Sequence, residues 1–415
     1  MTRLLDRFLA ASVAHGTLAV ERADGSISRF GSPHPDFPDV AIRIADARTE
    51  RQIVFNPRLG AGEAFMDGNL EVTQGDVMAL IELLRSNSMW EEHGVLREKR
   101  GLAAARKRIV TRLDGINTAA RARSNVAHHY DVGNDLYRLF LDTDHMQYSC
   151  AYWPRDDISL EQAQEAKLAH IAAKLALAPG QEVLDIGCGW GGMAIYLARK
   201  ADVRVTGITL SQEQLQLAIE RAEAAGVADR VTFELIDYRA LPQRGKRYDR
   251  IVSVGMFEHV GQQQFDSFFR CCANLMHPEG TMLLHTIGRM GGPGSTDAFT
   301  RKYIFPGGYI PALSETLAAS EPNRLIATDV ETLRLHYART LREWYKRCLA
   351  NRDAIIALQD ERFYRMWIFY LAGATAAFES GGMCNYQIQY ARDRRALPLT
   401  RDYMAKAEAA LLQSD

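Results

Sequence analysis

Proton transfer at a water-free site calls for carboxyl, imidazole, thiol and phenol groups held close together, and this chain carries them in short, separated islands. One is Met146-Gln147-Tyr148-Ser149-Cys150; a second is Gly255-Met256-Phe257-Glu258-His259-Val260-Gly261. A third is Leu284-His285-Thr286-Ile287-Gly288, and a fourth is His336-Tyr337 ahead of a basic, Trp-containing segment. A Glu–His arrangement accepts or relays a proton, while a tyrosine hydroxyl and a backbone amide donate to anionic oxygens. Each residue alone also has a plain structural reading. Buried cysteines are common packing residues, and Glu258-His259 reads equally as a helix start with a capping carboxylate.

A fifth island, Val183-Leu184-Asp185-Ile186-Gly187-Cys188-Gly189-Trp190-Gly191, ends an apolar run and opens a helical one. Glycines there let the backbone turn tightly and approach a ligand closely. The pattern is open to a dinucleotide or to a bare strand-to-helix turn. Two details favour S-adenosylmethionine: Asp185 sits just before the glycines, and the spacing is GxGxG rather than GxGxxG. Without a pyrophosphate the helix N-terminus has no strong anion to hold, and a zwitterionic amino acid with a sulfonium takes its place.

The elements that must position these residues alternate beyond residue 160 as in a doubly wound α/β sheet. Strands are expected at 182–186, 203–209, 231–235, 250–254, 281–287 and 385–391, with helices at 159–177, 192–200, 211–225, 263–275, 335–351 and 362–378. An irregular stretch is expected from Met290 to about Pro322, offering apolar and aromatic surface around residues 303–310. Residues 1 to about 90 read as α+β: an amphipathic opening helix, a strand at 17–21, a turn at Asp24-Gly25, alternating runs at 40–44 and 52–55, and a helix from Asp76. From Arg97 to Arg123 nine Lys or Arg stand against Glu98 and Asp114, which suits either a basic amphipathic helix on anionic headgroups or a solvated linker. The expected division is 1–96, 97–123 and 124–415.

At 415 residues the chain exceeds the usual single-core size, and 47% hydrophobic content supplies two cores. A net charge of −1 argues against a surface built for nucleic acid. The six cysteines show no CxxC spacing, so neither a disulfide framework nor a metal site is expected, and a reducing cytoplasm is the simpler home. Asp6 and Arg7 interrupt the apolar N-terminus, and no run of eighteen apolar residues occurs, so neither export nor a membrane span is expected.

Taken together, the islands, with His129-Tyr130-Asp131-Val132-Gly133-Asn134 before them, resemble the cyclopropane fatty acid synthase and mycolic acid methyltransferase family. Gly62-Glu63-Ala64-Phe65-Met66-Asp67-Gly68 resembles the accessory N-terminal domain of its longer, bacterial-type synthases, a possible lipid-binding domain. The resemblance implies a seven-stranded, Rossmann-like methyltransferase sheet with a smaller N-terminal α+β domain. It implies transfer of a methylene from S-adenosylmethionine across the cis double bond of an unsaturated phospholipid acyl chain, through a carbocation deprotonated by bound bicarbonate. Bicarbonate ligands map to Cys150, Glu258, His285, Tyr337 and the backbone of Ile287. Cofactor contacts map to Tyr148, Ser149, Asp185, Gly187, Gly189, Thr209, Leu210, Gln214, Asp237 and Tyr238. Tyr130, Phe257 and the aromatics at 303–309 are expected to wall the cation and the acyl chain by cation–π contact. Peripheral association with the inner face of the membrane is expected, with a homodimer left open. Alternatives sharing the site are a methyltransferase that leaves a methyl branch and, further off, a non-catalytic lipid-binding protein.

Overall fold

The computed structural model describes residues 4–92 and 133–413; the basic stretch 97–123, Tyr130 and residues 129–132 of the first motif lie outside the described residues. The chain forms two compact units. One holds residues 4–92, 296–306 and 341–382, and the other holds 133–295, 307–340 and 383–413. The N-terminal segment is therefore completed by two pieces drawn from the second half of the sequence.

The first unit contains a four-stranded sheet of β1 (Gly16–Arg22), β2 (Ile27–Ser32), β3 (Asp39–Ile44) and β4 (Leu70–Gln74) in the order β2-β1-β3-β4. Along β1 every second residue is buried, which sends Leu18 and Val20 into the core. Residues 52–55, expected as an alternating run beside the strands, instead close the helix Ala47–Phe55. The reason is its start: the Asp46 carboxylate accepts from the Thr49 amide at 2.7 Å and caps the first turn. The helix Glu361–Glu379 packs on helices Pro57–Met66 and Val77–Ser86. Arg342 pairs with both Glu379 and Glu82.

The second unit is built on seven strands, β5 (Glu182–Ile186), β6 (Arg204–Thr209), β7 (Val231–Leu235), β8 (Tyr248–Val254), β9 (Met276–Arg289), β10 (Ile326–Leu333) and β11 (Met383–Ala391). Their order is β10-β11-β9-β8-β5-β6-β7. The five from β5 to β9 are parallel, while β11 is antiparallel to both β9 and β10. Successive side chains enter two different cores: Val183, Val252 and Leu283 on one face, Leu184, Ile251 and Leu284 on the other. Burial on both faces explains why these strands are nearly continuous apolar runs. The strand order reverses between β5 and β8, which opens a crevice at their C-terminal ends.

The stretch from 290 to 322 is not irregular throughout, since Ala298–Tyr303 and Leu313–Ser320 are helices. Asp297 caps the first by accepting from the Phe299 and Thr300 amides. The strand β10 has no counterpart in the sequence reading, because an edge strand with only Asp329 and Leu333 buried carries no apolar alternation. Among the described residues no helix is long and apolar enough to cross a membrane.

Candidate active site

The glycine loop leaves β5 at Ile186 and returns into the helix Gly192–Ala201. The Gly187 and Cys188 amides both donate to the Ile208 carbonyl, at 2.9 and 3.0 Å, tying the loop to β6. Gly187 sits at φ +82°, and a Cβ there would lie 2.7 Å from Met256 Cγ, so only glycine fits. Gly189 differs. At φ +54° it has no atom within 4 Å of where a Cβ would stand, so its bare face opens on the crevice.

That crevice is a cavity lined by all ten residues expected at the cofactor. The Thr209 hydroxyl donates to Gln214 Oε1 at 2.9 Å and accepts from the Ser211 amide at 3.2 Å, fixing the end of β6. Asp237 is held by the Arg239 guanidinium, with contacts of 2.8 and 2.6 Å, and also accepts the Arg239 amide. Asp185 is 1% exposed and its Oδ2 has no hydrogen-bond partner. Burial pushes its carboxyl up to about 7, against the opposing pull of Lys167.

The wall formed by residues 146–149 owes its shape to Asp142. This buried carboxylate accepts from the His145 amide at 2.8 Å and the Gln147 amide at 2.7 Å, and Met146 between them takes a left-handed φ of +49°. The segment continues to Cys150, fully buried, whose thiol donates to the Ala151 carbonyl at 3.3 Å and is pushed up by burial. The Ala151 amide donates to Thr340 Oγ1 and the Trp153 amide to His336 Nδ1, which lace Cys150 to the helix turn that bears Tyr337.

Glu258 follows β8 in a short turn between cavity-lining residues Met256 and His259. It is buried; the Ile287 amide donates to its Oε1 at 2.5 Å, and its Oε2 has no hydrogen-bond partner. Burial raises its carboxyl to about 7, with the Ile287 amide opposing. The Ile287 amide, expected to face an anion, here serves Glu258. No hydrogen bond joins Glu258 to His285 among the described residues; the imidazole is held instead by β11. Gln387 Nε2 lies 3.2 Å from His285 Nδ1, and Asn385 Nδ2 lies 3.4 Å from Nε2. The Gln387 amide has one possible orientation, because its Oε1 accepts from the Lys174 ammonium at 2.7 Å, so its NH2 donates to Nδ1. The proton of the neutral ring is then on Nε2, and the Asn385 amide, whose oxygen otherwise has no hydrogen-bond partner, must turn that oxygen towards it. Burial, with Lys167, Lys174 and His170 nearby, holds His285 well below its ordinary value.

Phe257 does not wall this space: it stacks on Phe265 at 4.2 Å in the core beneath β8, along with Phe268 and Phe269. His259, Gln164 and Lys167 are given no role at the cofactor by the sequence. His259 lines the cavity, and burial lowers its imidazole to about 4. Gln164 and Lys167 bind the 147–149 segment from the helix Leu160–Leu175. That helix is buried nearly all round, so no amphipathic contrast marks its polar residues as interior.

The donor set suits the implied groups. The open face of Gly189 and the unpartnered Asp185 oxygen suit a zwitterionic ligand with an ammonium. By their chemistry an imidazole N–H, a phenol hydroxyl and a protonated carboxyl are donors suited to a small anion, but Cys150, Glu258, His285, Ile287 and Tyr337 are not among the residues that line the cavity. Among the described residues no cluster of three or more His, Cys, Asp or Glu is placed to hold a metal.

Residues 117–388 match the family model described as mycolic acid cyclopropane synthetase. The chain is similar to the cyclopropane-fatty-acyl-phospholipid synthase of Escherichia coli K12, 39% identical over 370 residues that cover 89% of this chain and 92% of that one. It is similar to cyclopropane mycolic acid synthase 1 of Mycobacterium tuberculosis H37Rv, 38% identical over 271 residues, 62% of this chain and 93% of that one. The crystal structure of mycolic acid cyclopropane synthase CmaA1 complexed with SAH and CTAB superposes with a TM-score of 0.61 at 35% identity, covering 65% of this chain and 97% of that one.

Proposed function

The chain belongs to the mycolic acid cyclopropane synthetase family, and from that premise we propose that it is a cyclopropane-fatty-acyl-phospholipid synthase, an S-adenosylmethionine-dependent methyltransferase acting on unsaturated phospholipid acyl chains. The observation that supports this most is the placing of a buried, readily protonated Glu258 between residues that line the candidate cofactor cavity, at the strand end next to His285.

When bound, S-adenosylmethionine supplies an electrophilic methyl group and bicarbonate supplies a base. The work of the chain is to bind, orient and keep dry. Asp185 offers a carboxylate to the amino group of the cofactor's methionine end, and Tyr148 and Ser149 line the same end. Thr209, Leu210 and Gln214 face the adenosine, flanked by Asp237 and Tyr238. A carbocation is captured by any nearby water, which is why Cys150, Glu258, His285 and Tyr337 are all buried. His285, Tyr337 and Cys150 are the groups that would surround the anion, and Glu258 gives or takes the proton that an anionic base must shed after each turnover.

The basic stretch 97–123 fits a peripheral contact with the inner face of the membrane, and the N-terminal segment fits an accessory, lipid-binding role. Vesicles of a defined monounsaturated phospholipid, incubated with the protein and S-adenosylmethionine, test the reading. A lipid heavier by one methylene whose NMR spectrum has lost its alkene protons is expected. A heavier lipid that keeps an alkene would show a methyl-branching enzyme instead, and unchanged lipid would show a binding protein without chemistry.

A further inference from the structure

The helix Leu160–Leu175 carries four buried polar side chains along one stripe: Gln164, Lys167, His170 and Lys174. Lys174 reaches His285 through Gln387, as above. Lys167 engages the wall of the cavity. It is fully buried, and its ammonium donates to Gln147 Oε1 and, at 3.0 Å, to Ser149 Oγ. One turn earlier the Gln164 amide donates to the carbonyls of Gln147 at 3.3 Å and Ser149 at 3.0 Å. Two side chains of one helix thus grip the segment that lines the cavity and ends in Cys150.

For gripping alone, a neutral amide such as Gln164 is enough. A buried ammonium is costly unless its charge has partners. The titratable groups whose charge acts on Lys167, or is acted on by it, are Asp142, His145, Cys150, Asp185 and His285. Of these, Asp185 lines the cavity and has an oxygen without a hydrogen-bond partner.

We propose that Lys167 is a positioning residue that acts through its charge, a fixed buried cation that keeps Asp185 ionised for the ammonium group of the cofactor while holding Ser149 and Cys150 in place. The proposal rests on the cavity being the S-adenosylmethionine site. Burial brings Lys167 down to about 8 and Asp185 up to about 7, and each charge pulls the other group back towards its ionised form.

The test is calorimetric titration of the full chain with S-adenosylmethionine from pH 6 to 9, comparing wild type, Lys167→Met and Gln164→Leu, with turnover measured alongside. Wild-type affinity is expected to fall as the pH drops through the Asp185 transition. Lys167→Met should move that fall to higher pH, weakening binding about tenfold near neutrality for each pH unit moved, with recovery at high pH. Gln164→Leu, which loosens the same segment without removing charge, should lower turnover and leave the transition where it is. A Lys167→Met curve displaced no further than that of Gln164→Leu would reduce Lys167 to a clamp and overturn the proposal. If Lys167→Met does not fold, Lys167→Arg must keep the wild-type transition, and a moved one overturns the proposal equally. A wild type that binds no S-adenosylmethionine at any pH would refute the cavity assignment itself, an outcome separate from either.

Discussion

At the scale of single residues, Glu258 makes the site sensitive to pH in two ways. Its carboxyl sits at about 7 in the folded chain against an ordinary 4.5, so between those values the folded state keeps a proton that the unfolded chain gives up. Stability from this group is therefore full below pH 4.5 and declines as pH rises to about 7, by roughly 3 kcal/mol. Glu258→Gln keeps the shape and an acceptor for the Ile287 amide while removing the charge. The variant should unfold at a higher temperature than wild type at pH 8 and at nearly the same temperature at pH 4.5, by calorimetry. Its turnover on unsaturated phospholipid vesicles should fall about 10²–10⁴-fold with cofactor affinity kept. Wild-type turnover in Glu258→Gln would remove Glu258 from the proton path. His285 is the next candidate in that event. Sequence made Glu258 and His285 visible because each comes just after apolar residues, Glu258 beyond β8 and His285 within β9 after Met282, Leu283 and Leu284, yet it left Lys167 unseen, since a lysine in a helical run is read as solvated.

Among the elements, the pairing of β9 with β11 does the most for the chemistry. Their register sets Gln387 opposite His285 and Asn385 opposite Ile287. Replacing Gln387 with Leu would leave the Lys174 ammonium and His285 Nδ1 each short of a partner in a dry interior. A loss of about 1–3 kcal/mol in urea denaturation is expected. Turnover should fall as well, while cofactor affinity holds, because Gln387 does not line the cavity. Equal affinity and equal turnover would show that the tautomer of His285 is set by something else. The central strands were legible because burial on both faces leaves apolar runs, and their helices because Ser159 and Ser211 announce the starts. The edge strand β10 and the helix Ala47–Phe55 were not, since in both the pattern of apolar residues is overruled by neighbours distant in sequence or by a single cap.

For the whole molecule, a net charge of −1 means that any attraction to an anionic bilayer has to be local, and the stretch 97–123 is where the sequence concentrates it. Replacing Arg106, Lys107 and Arg108 by Gln should reduce sedimentation with anionic vesicles, and raising salt should do the same to wild type, with cofactor affinity unchanged in both. Undiminished sedimentation of the triple variant would leave this stretch as a linker. The division into compact units was the least legible feature, because 296–306 and 341–382 join a unit that the linear order of the chain assigns to its beginning.

The alignment of β11 on β9 also orders events in time. Every residue lining the cavity precedes Gly261, whereas the side chain that fixes the proton on His285 belongs to Gln387. A ribosome releases the cavity's residues long before it releases that strand. A nascent or broken chain lacking β11 would hold every residue of the cavity and yet lack the amide that orients His285, so the cavity and the proton on that ring belong to different moments of synthesis.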